Sequence, residues 1–378
     1  MNNVPNLRFP EFQGEWVRMR LDAFTERVMR KNKNNKSKLP LTISAQYGLV
    51  DQITFFNKVI ASTDMSNYYL LKKGEFAYNK SYSSDYPWGA VKRLDNYEQG
   101  ALSSLYICFA PQDNVVSDFI LQYFESPKWH KGVSEIAVEG ARNHGLLNVS
   151  VQDFFHTYHY VPKDKKEQIK VAKLLMLLDE RIATQNKIIE DLKKLKCAIA
   201  EKLFNVTDGD SVPLTEVCTI LKGKQINGEF LSEKGKYYVM NGGTEPSGYY
   251  DKSNAPADTI SISEGGNSCG YIQYNREAFW SGGHCYTLNN ITPNICKLYL
   301  YHYLKSQESS IMKLRIGTGL PNIQKKDLEK FCILLPSKAK QESISTFLTA
   351  IESKIANEEM LQNYFQEEKL YLLRQMFI

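Results

Sequence analysis

No apolar run in this chain approaches the ~18–20 residues a membrane helix needs, so a membrane-spanning protein is not expected. The opening stretch MNNVPNLRFPEF lacks the apolar core of a signal peptide, which makes cytoplasmic residence the expectation. Seven cysteines (Cys108, Cys197, Cys218, Cys269, Cys285, Cys296, Cys332) are scattered without a Cys-x-x-Cys pair. Neither a disulfide framework nor a zinc knuckle is indicated, and reduced thiols are expected. Six histidines (130, 144, 156, 159, 284, 302) form no ligand set. Missing too are a Walker A loop, an (Asp/Asn/Ser)-Pro-Pro-(Tyr/Phe) methyltransferase motif, nuclease-like Pro-Asp…(Asp/Glu)-x-Lys spacing, His-Glu-x-x-His and Gly-x-Ser-x-Gly. The consistency of these absences favours recognition over catalysis. His284 beside Cys285, with Cys269 upstream, is the one place where a site could hide.

What is present is a repetition. ARNHGLLNVS (141–150) and GTGLPNIQ (317–324) both read Gly-Leu-x-Asn followed by a β-branched residue. The match extends in register: Asp153 meets Asp327 and Pro162 meets Pro336 at an offset of 174. After one deletion, Gln168 meets Gln341, Leu175 meets Leu348, Ile182 meets Ile355 and Phe204 meets Phe377 at 173. Upstream, Gly14-Glu15-Trp16-Val17 faintly echoes Gly209-Asp210-Ser211-Val212 at 195. The middles do not align. At 378 residues two domains are expected, and a period this long excludes stacked solenoid repeats of ~20–50 residues.

After Pro162 some forty residues run without Gly or Pro and with strong helix formers throughout. Leu175, Leu178, Ile182, Gln185, Ile189, Leu192, Lys196, Ile199 and Leu203 step 3-4-3-4, the spacing of a coiled-coil seam. After Pro336 the same stripe is Leu348, Ile351, Ile355, Glu358, Gln362, Phe365, Lys369, Leu372 and Met376. A helix of this length extends on the order of 60 Å, longer than a domain of this size is wide. The two are therefore expected to lie against each other rather than each along its own domain.

The intervening segments read as α+β. LYICFAP (105–111), FFHTYHYVP (154–162), CTILKG, KYYVMNGG, DTISISEGGNSCGYIQY and FWSGGHCYTLNN have strand character, while SDFILQYFESPKWHKG and PNICKLYLYHYLKSQESSIMKL have helix character. Lys31, Lys33, Lys36 and Lys38, among Asn and Ser, make a flexible basic loop. KKGEFAYNKSYSSDYPWGAVKR (72–93) interleaves Lys80 with Tyr82, Ser83 and Trp88. Such mixtures neutralise phosphates and meet or stack on bases, although a solvated loop and half-buried strand aromatics explain them equally well. In the second segment the candidates are Lys222 and Lys224, then Asn241, Gly243 and Thr244 of one turn and Gly266, Asn267 and Ser268 of another. Neither turn has a nucleotide-binding context, and most such turns are only turns. Arg142, Asn143 and His144 precede the first Gly-Leu-x-Asn, as Arg315 and Thr318 precede the second, so related phosphate or base contacts are expected there.

Taken together, the duplicated Gly-Leu-x-Asn-(Val/Ile), the downstream Pro, Glu167-Gln168-x-x-Val171-Ala172, Leu175-x-x-Leu178-Asp179-x-x-Ile182 and Lys202-Leu203-Phe204, echoed by Gln341-x-x-Ile344-Ser345, Leu348-x-x-Ile351-Glu352-x-x-Ile355 and Met376-Phe377, resemble the specificity subunits of type I restriction-modification systems. Leu147 standing where Pro321 is departs from the pattern. The resemblance implies two target-recognition domains (1–162 and 206–336) and two spacer helices (163–205 and 337–378) packed as an antiparallel coiled coil with a pseudo-two-fold internal repeat. It implies double-stranded DNA with a bipartite asymmetric target, two methyltransferase subunits using S-adenosylmethionine and, optionally, restriction subunits using ATP and Mg. This chain would hold no cofactor and catalyse nothing. Leu175, Leu178, Ile182, Ile189, Leu192, Leu348, Ile351, Ile355, Phe365 and Leu372 would serve helix pairing and subunit docking. Two rivals remain: a scaffold holding protein-binding heads, and an enzyme with an unfamiliar site near 263–285.

Overall fold

The computed structural model describes residues 3–58, 61–137, 145–317 and 321–378. Two compact units divide the chain, Met1–Gln185 with Leu361–Ile378 and Asn186–Met360.

The first unit opens with β1 (Val17–Arg20), β2 (Thr25–Arg27), β3 (Pro40–Ser44), β4 (Gly48–Asp51) and the short helix α1 (Gln52–Phe56). Next come β5 (Tyr69–Lys72), β6 (Phe76–Asn79), β7 (Ala90–Arg93), β8 (Gln99–Leu102) and β9 (Ile107–Pro111). Helices α2 (Ser117–Glu125), α3 (His130–Ile136) and α4 (Val151–His156) precede β10 (Tyr158–Val161) and the long α5 (Lys165–Asn205). In the second unit β11 (Asp210–Pro213), α6 (Leu214–Val217), β12 (Thr219–Lys222), β13 (Tyr237–Met240) and β14 (Tyr249–Tyr250) come first. Strands β15 (Thr259–Ser263), β16 (Ile272–Asn275), β17 (Trp280–Ser281) and β18 (Cys285–Asn289) follow. Then come α7 (Lys297–Ser306), α8 (Glu308–Met312), α9 (Lys325–Glu329), β19 (Cys332–Leu335) and the long α10 (Lys338–Gln375).

One strand is shorter than its sequence suggests. The Ser150 hydroxyl accepts from the Asp153 amide at 3.0 Å, an N-cap that starts α4 and buries Phe154 and Phe155 together. Strand pairing begins only at Tyr158.

The repeat reaches deeper in the fold than in the sequence. Each unit has a four-stranded sheet of the same order, β2-β9-β6-β7 in one and β12-β18-β15-β16 in the other. Each also has a two-stranded opening ribbon, β1-β10 or β11-β19. The Leu21 amide donates to Thr157 O and the Leu214 amide to Phe331 O, and both leucines are fully buried. The opening segments therefore correspond at an offset of 193 (214 − 21), so the sequence echo at 195 is two residues out of register. The second sheets differ, β4-β3-β8-β5 against the three-stranded β14-β13-β17. This accounts for middles that resist alignment.

The repeated glutamine has a structural task. Gln168 Oε1 accepts the amide of Val116, the N-cap of α2, at 2.7 Å, while its Nε2 donates to Pro162 O at 2.8 Å. Gln341 does the same for the amide of Cys296, the N-cap of α7, at 2.9 Å, and for Pro336 O at 2.9 Å. One buried amide side chain thus satisfies an orphan helix donor and the carbonyl of the repeated proline. It also fixes the start of each long helix against its head.

Each unit takes part of both long helices, and within each they run antiparallel. In the first, Lys369 pairs with Asp179, and Arg181 lies over the Phe365 ring at 5.3 Å. In the second, Lys193 meets Glu359 at 2.6 Å and Lys196 pairs with Glu352. Asp179 and Glu352, like Lys196 and Lys369, are 173 apart in sequence, so one bridge occurs once per unit with the helices exchanging roles. All eighteen stripe positions quoted above are buried or half-buried. Phe377 packs tilted against Phe119 and edge-on against Tyr123 of α2, and Phe204 packs edge-on against Tyr299 and Tyr303 of α7. Aromatic burial of this kind anchors each helix end in a core.

Candidate nucleic-acid interface

In the first unit the candidates fall on two separate sheets. Lys31 bridges to Tyr69 beside β5, with Nζ 4.2 Å from the Tyr69 ring centroid and donating to Asn67 O at 2.8 Å. Lys33, Lys36 and Lys38 project from the following turn and are exposed. The composition suggests a loose loop, but Asn32 organises it: fully buried, Asn32 accepts from the Ser37 amide at 2.8 Å and donates to Ser37 O at 2.9 Å. Beside it sits a surface the sequence did not flag. Phe55 meets both Tyr47 and Phe56 edge-on, with Tyr47, Phe55 and Phe56 68%, 44% and 43% exposed.

The loop between β6 and β7 carries the other group. Its base is stitched to the first Gly-Leu-x-Asn: Leu147 N donates to Lys80 O at 2.9 Å and Tyr82 N to Gly145 O at 3.1 Å. Gly145 has φ +78°, a conformation that favours glycine. Lys80 Nζ reaches back to Val149 O at 3.4 Å, Tyr82 is exposed, and Ser83 closes a turn with Tyr86. Trp88 packs partly buried against the core and its carbonyl accepts the Tyr78 hydroxyl, so it is a buttress more than a stacking platform. The second motif stitches a strand exit with the same bond pattern, two residues further along the repeat. Ile323 N donates to Glu264 O at 2.8 Å and Gly266 N to Pro321 O at 3.0 Å. The motif is therefore a clamp on the turn that leaves a sheet strand, which explains why it is duplicated.

In the second unit four short segments that the sequence presents separately converge. They are Lys222–Gln225 after β12, Asn241–Thr244 after β13, Glu264–Ser268 after β15 and the residues between β17 and β18. Asn241 Oδ1 accepts the His284 amide at 3.2 Å. A side chain at Gly282 would place Cβ 2.4 Å from Asn241 Oδ1, and one at Gly223 would lie 2.2 Å from Gly282 O. Lys224 N donates to Ser281 O at 2.8 Å, and the Trp280 indole donates to Lys224 O at 2.9 Å. Lys222, Lys224, Thr244 and Asn267 are exposed on this cluster, with Gly243, Gly266 and Ser268 half-buried. Glu264, 7% exposed, holds Lys222 Nζ at 2.7 Å and the Tyr286 hydroxyl at 3.0 Å on one carboxylate oxygen. His284 Nδ1 stands 3.8 Å from the other. Arg315 is exposed beside the second motif, where Ile316 and Asn322 exchange backbone hydrogen bonds. Arg142, Asn143, His144 and Thr318 lie outside the described residues. His284, Glu264 and Gln225 are the members that sequence reasoning missed as contacts; the repeated glycine pairs of Gly-Gly-Thr, Gly-Gly-Asn and Gly-Gly-His were the available signal.

The rival site near 263–285 has its thiols turned inward. Cys269 is fully buried and Cys285 nearly so, and burial pushes both thiols up from their ordinary value, which disfavours the nucleophilic thiolate. Among the described residues no group of three or more His, Cys, Asp or Glu side chains could hold a metal ion, and no helix is long and apolar enough to cross a membrane. His159 is closed off between the Tyr123 hydroxyl at 2.8 Å and the Thr157 hydroxyl at 2.7 Å, and burial lowers it to about 3.

Residues 208–364 match the family described as the type I restriction modification DNA specificity domain. Over that stretch the chain is similar to the type I specificity domain. A Mycoplasma genitalium protein named as a type I specificity subunit is 34% identical over 158 residues, 41% of this chain and 41% of its own length. A Mycoplasma pneumoniae protein of the same description is 36% identical over 136 residues, 35% and 36% of the two chains. These matches thus span well under half of the relatives. The crystal structure of the S subunit from M. genitalium shares the fold over 99% of both chains at TM-score 0.65 and 19% identity. A chain from a structure describing complex assembly and conformational transition of the type I restriction-modification system covers 97% of this chain and 98% of its own, at TM-score 0.60 and 16% identity. The α+β fold of this chain is one that those structures share.

Proposed function

We propose that the chain is the DNA-reading subunit of a type I restriction-modification complex, in which each unit grips one half of a bipartite, asymmetric duplex target. The observation that carries this reading is one sheet order built twice, with a different set of loops clamped to it each time. A shared scaffold with dissimilar loops suits two readers of two different half-sites, their spacing set by the protein and on the order of a helical turn of DNA. The exposed cations Lys33, Lys36, Lys38, Lys80, Lys222, Lys224 and Arg315 would meet phosphates, while Tyr82, Ser83, Asn267 and Ser268 would approach base edges. Of the residues assigned jointly to helix pairing and docking, the stripe is occupied by pairing. Docking of two modification subunits therefore falls to the outer apolar side chains Ile169, Leu177, Ile188 and Leu195, each 40–52% exposed. The groove of ≈ 290 Å³ where Ile169 and Leu177 meet Val116 and Met176 fits the same role. S-adenosylmethionine would be held by those partners and ATP by any restriction subunit, with no catalytic group on this chain.

Co-purification followed by methylation mapping tests the reading. Methyltransferase subunits should accompany the chain, and methylated adenines should define two short elements with unspecified bases between. A single uninterrupted motif would contradict it. A complex that ignores duplex DNA at low salt would favour a scaffold for protein heads.

A further inference from the structure

The strongest unexplained feature outside the sequence-derived contacts is the Glu264 carboxylate. Its Oε1 accepts two hydrogen bonds, yet its Oε2 is buried and has no hydrogen-bond partner. A buried, unsatisfied carboxylate oxygen costs free energy unless something comes to it. The group nearest to doing so is His284, whose Nδ1 is 3.8 Å away and whose side chain is 62% exposed, at the meeting point of the glycine turns. We propose that His284 is a DNA-contacting residue of the second unit and that Glu264 is its positioning residue, drawing the protonated ring inward by Nδ1–H so that Nε2–H is presented to an acceptor oxygen or nitrogen of DNA.

The proposal rests on the DNA-reading function above and assigns a contact beyond those the sequence offered. Three features support it. The backbone of His284 is already fixed, its amide on Asn241 Oδ1 and its carbonyl accepting the Glu264 amide at 2.9 Å, so acid and imidazole are held on adjacent strand ends and only a side-chain adjustment separates them. The other groups facing Glu264 leave Oε2 to the histidine. Lys222 from β12 and Tyr286 from β18 share Oε1, and the Cys269 thiol donates to the Glu264 main-chain carbonyl. Burial, with Glu264 beside it, holds the Tyr286 hydroxyl well above its usual value, so it remains a donor. Cys285 is likewise held protonated by burial, and Arg315, which lowers Cys269, adds positive charge. Finally, a ring that donates Nδ1–H to Oε2 and Nε2–H to DNA at once carries a positive charge, so this contact predicts proton uptake on binding.

The test measures affinity of the full chain for a mixed-sequence duplex between pH 6 and 8 at fixed low salt, for the native protein, His284→Gln, His284→Lys and Glu264→Gln. One linked proton strengthens binding by at most about tenfold per pH unit as pH falls. That increment should be present in the native protein and absent in His284→Gln. His284→Lys, which carries a charge throughout, should bind at pH 8 at least as tightly as the native protein and lack the same increment. Glu264→Gln should move the pH dependence to lower pH. Circular dichroism of each variant confirms that the fold tolerates the change. Repeating the series on a duplex bearing the methylated motif separates the acceptors: an equal effect on both duplexes marks a phosphate, and a larger one on the motif marks a base. Identical pH slopes in native protein and His284→Gln, with both binding DNA, would overturn the proposal. Failure of the native protein to bind any duplex would instead remove the DNA-reading function, and this contact with it.

Discussion

Replacing the repeated glutamine tests whether the duplication is structural and not a sequence accident. Gln168→Met keeps the volume of a fully buried side chain and removes both of its hydrogen bonds. The Val116 amide and the Pro162 carbonyl are then left without their partner. Each unsatisfied buried group costs roughly 1–3 kcal/mol, so a loss of about 2–5 kcal/mol is expected. That is a large share of the ~5–15 kcal/mol by which a domain is stable. For units of this size it corresponds to a fall of roughly 5–15 °C in Tm. Gln341→Met should cost a similar amount, because the geometry at Cys296 and Pro336 is the same within 0.2 Å for each bond. The informative readout is local: hydrogen exchange at Val116 should accelerate only in the first variant and at Cys296 only in the second. A loss below about 0.5 kcal/mol in both, or unchanged exchange at both amides, would refute the reasoning.

Swapping the charges of Lys196 and Glu352, partners that are each 21% exposed, should restore most of what either single reversal loses, and a double-mutant cycle should give a coupling on the order of 1 kcal/mol; no coupling would mean the bridge contributes nothing to helix pairing. Phe377→Ala, at 1% exposure against Phe119 and Tyr123, should destabilise the first unit by ~3–5 kcal/mol in chemical denaturation, and a loss under ~1 kcal/mol would contradict the anchoring role. Burial lowers His159 to about 3 and His302 to about 4, so the unfolded chain binds more protons between those values and ~6.5. Stability should therefore fall as pH drops through that window, by roughly 2 kcal/mol per histidine between pH 7 and 5, and stability flat across that range would count against it. Changing Lys33, Lys36 and Lys38 together to Gln should weaken binding equally for all sequences and flatten its salt dependence by about 0.9 for every phosphate no longer neutralised; an unchanged slope would take that turn out of the interface.

What was legible in the sequence followed from local periodicity. The 3-4-3-4 stripe announced both long helices because it persists over forty residues, and its polar members Lys196 and Lys369 turned out to be ion-paired to the other long helix. The duplicated Gly-Leu-x-Asn was visible as a pattern, but its role as a clamp on a strand exit was not, because its partners Lys80 and Glu264 lie far off in sequence. The shared sheet order was illegible for the same reason. Register across β6 and β9 or β15 and β18 requires only buried, strand-compatible side chains, so Phe76 opposite Phe109 can correspond to Ile260 opposite Leu288 with no identity between them. Among the candidate contacts, Trp88 was ambiguous in the sequence because an aromatic beside lysines in a loop can equally be a buttress. His284 stood out beside Cys285 but not as a contact, because its partner is a carboxylate at the end of another strand and not a metal-ligand set.

The most direct test of the central claim, that two dissimilar heads on a duplicated frame each read their own half of a target, is exchange of residues 1–160 for the corresponding segment of another specificity subunit, followed by methylation sequencing. The expected result is a motif in which one half is replaced while the other half and the number of unspecified bases between them are retained. Replacement of both halves, or of neither, would contradict it.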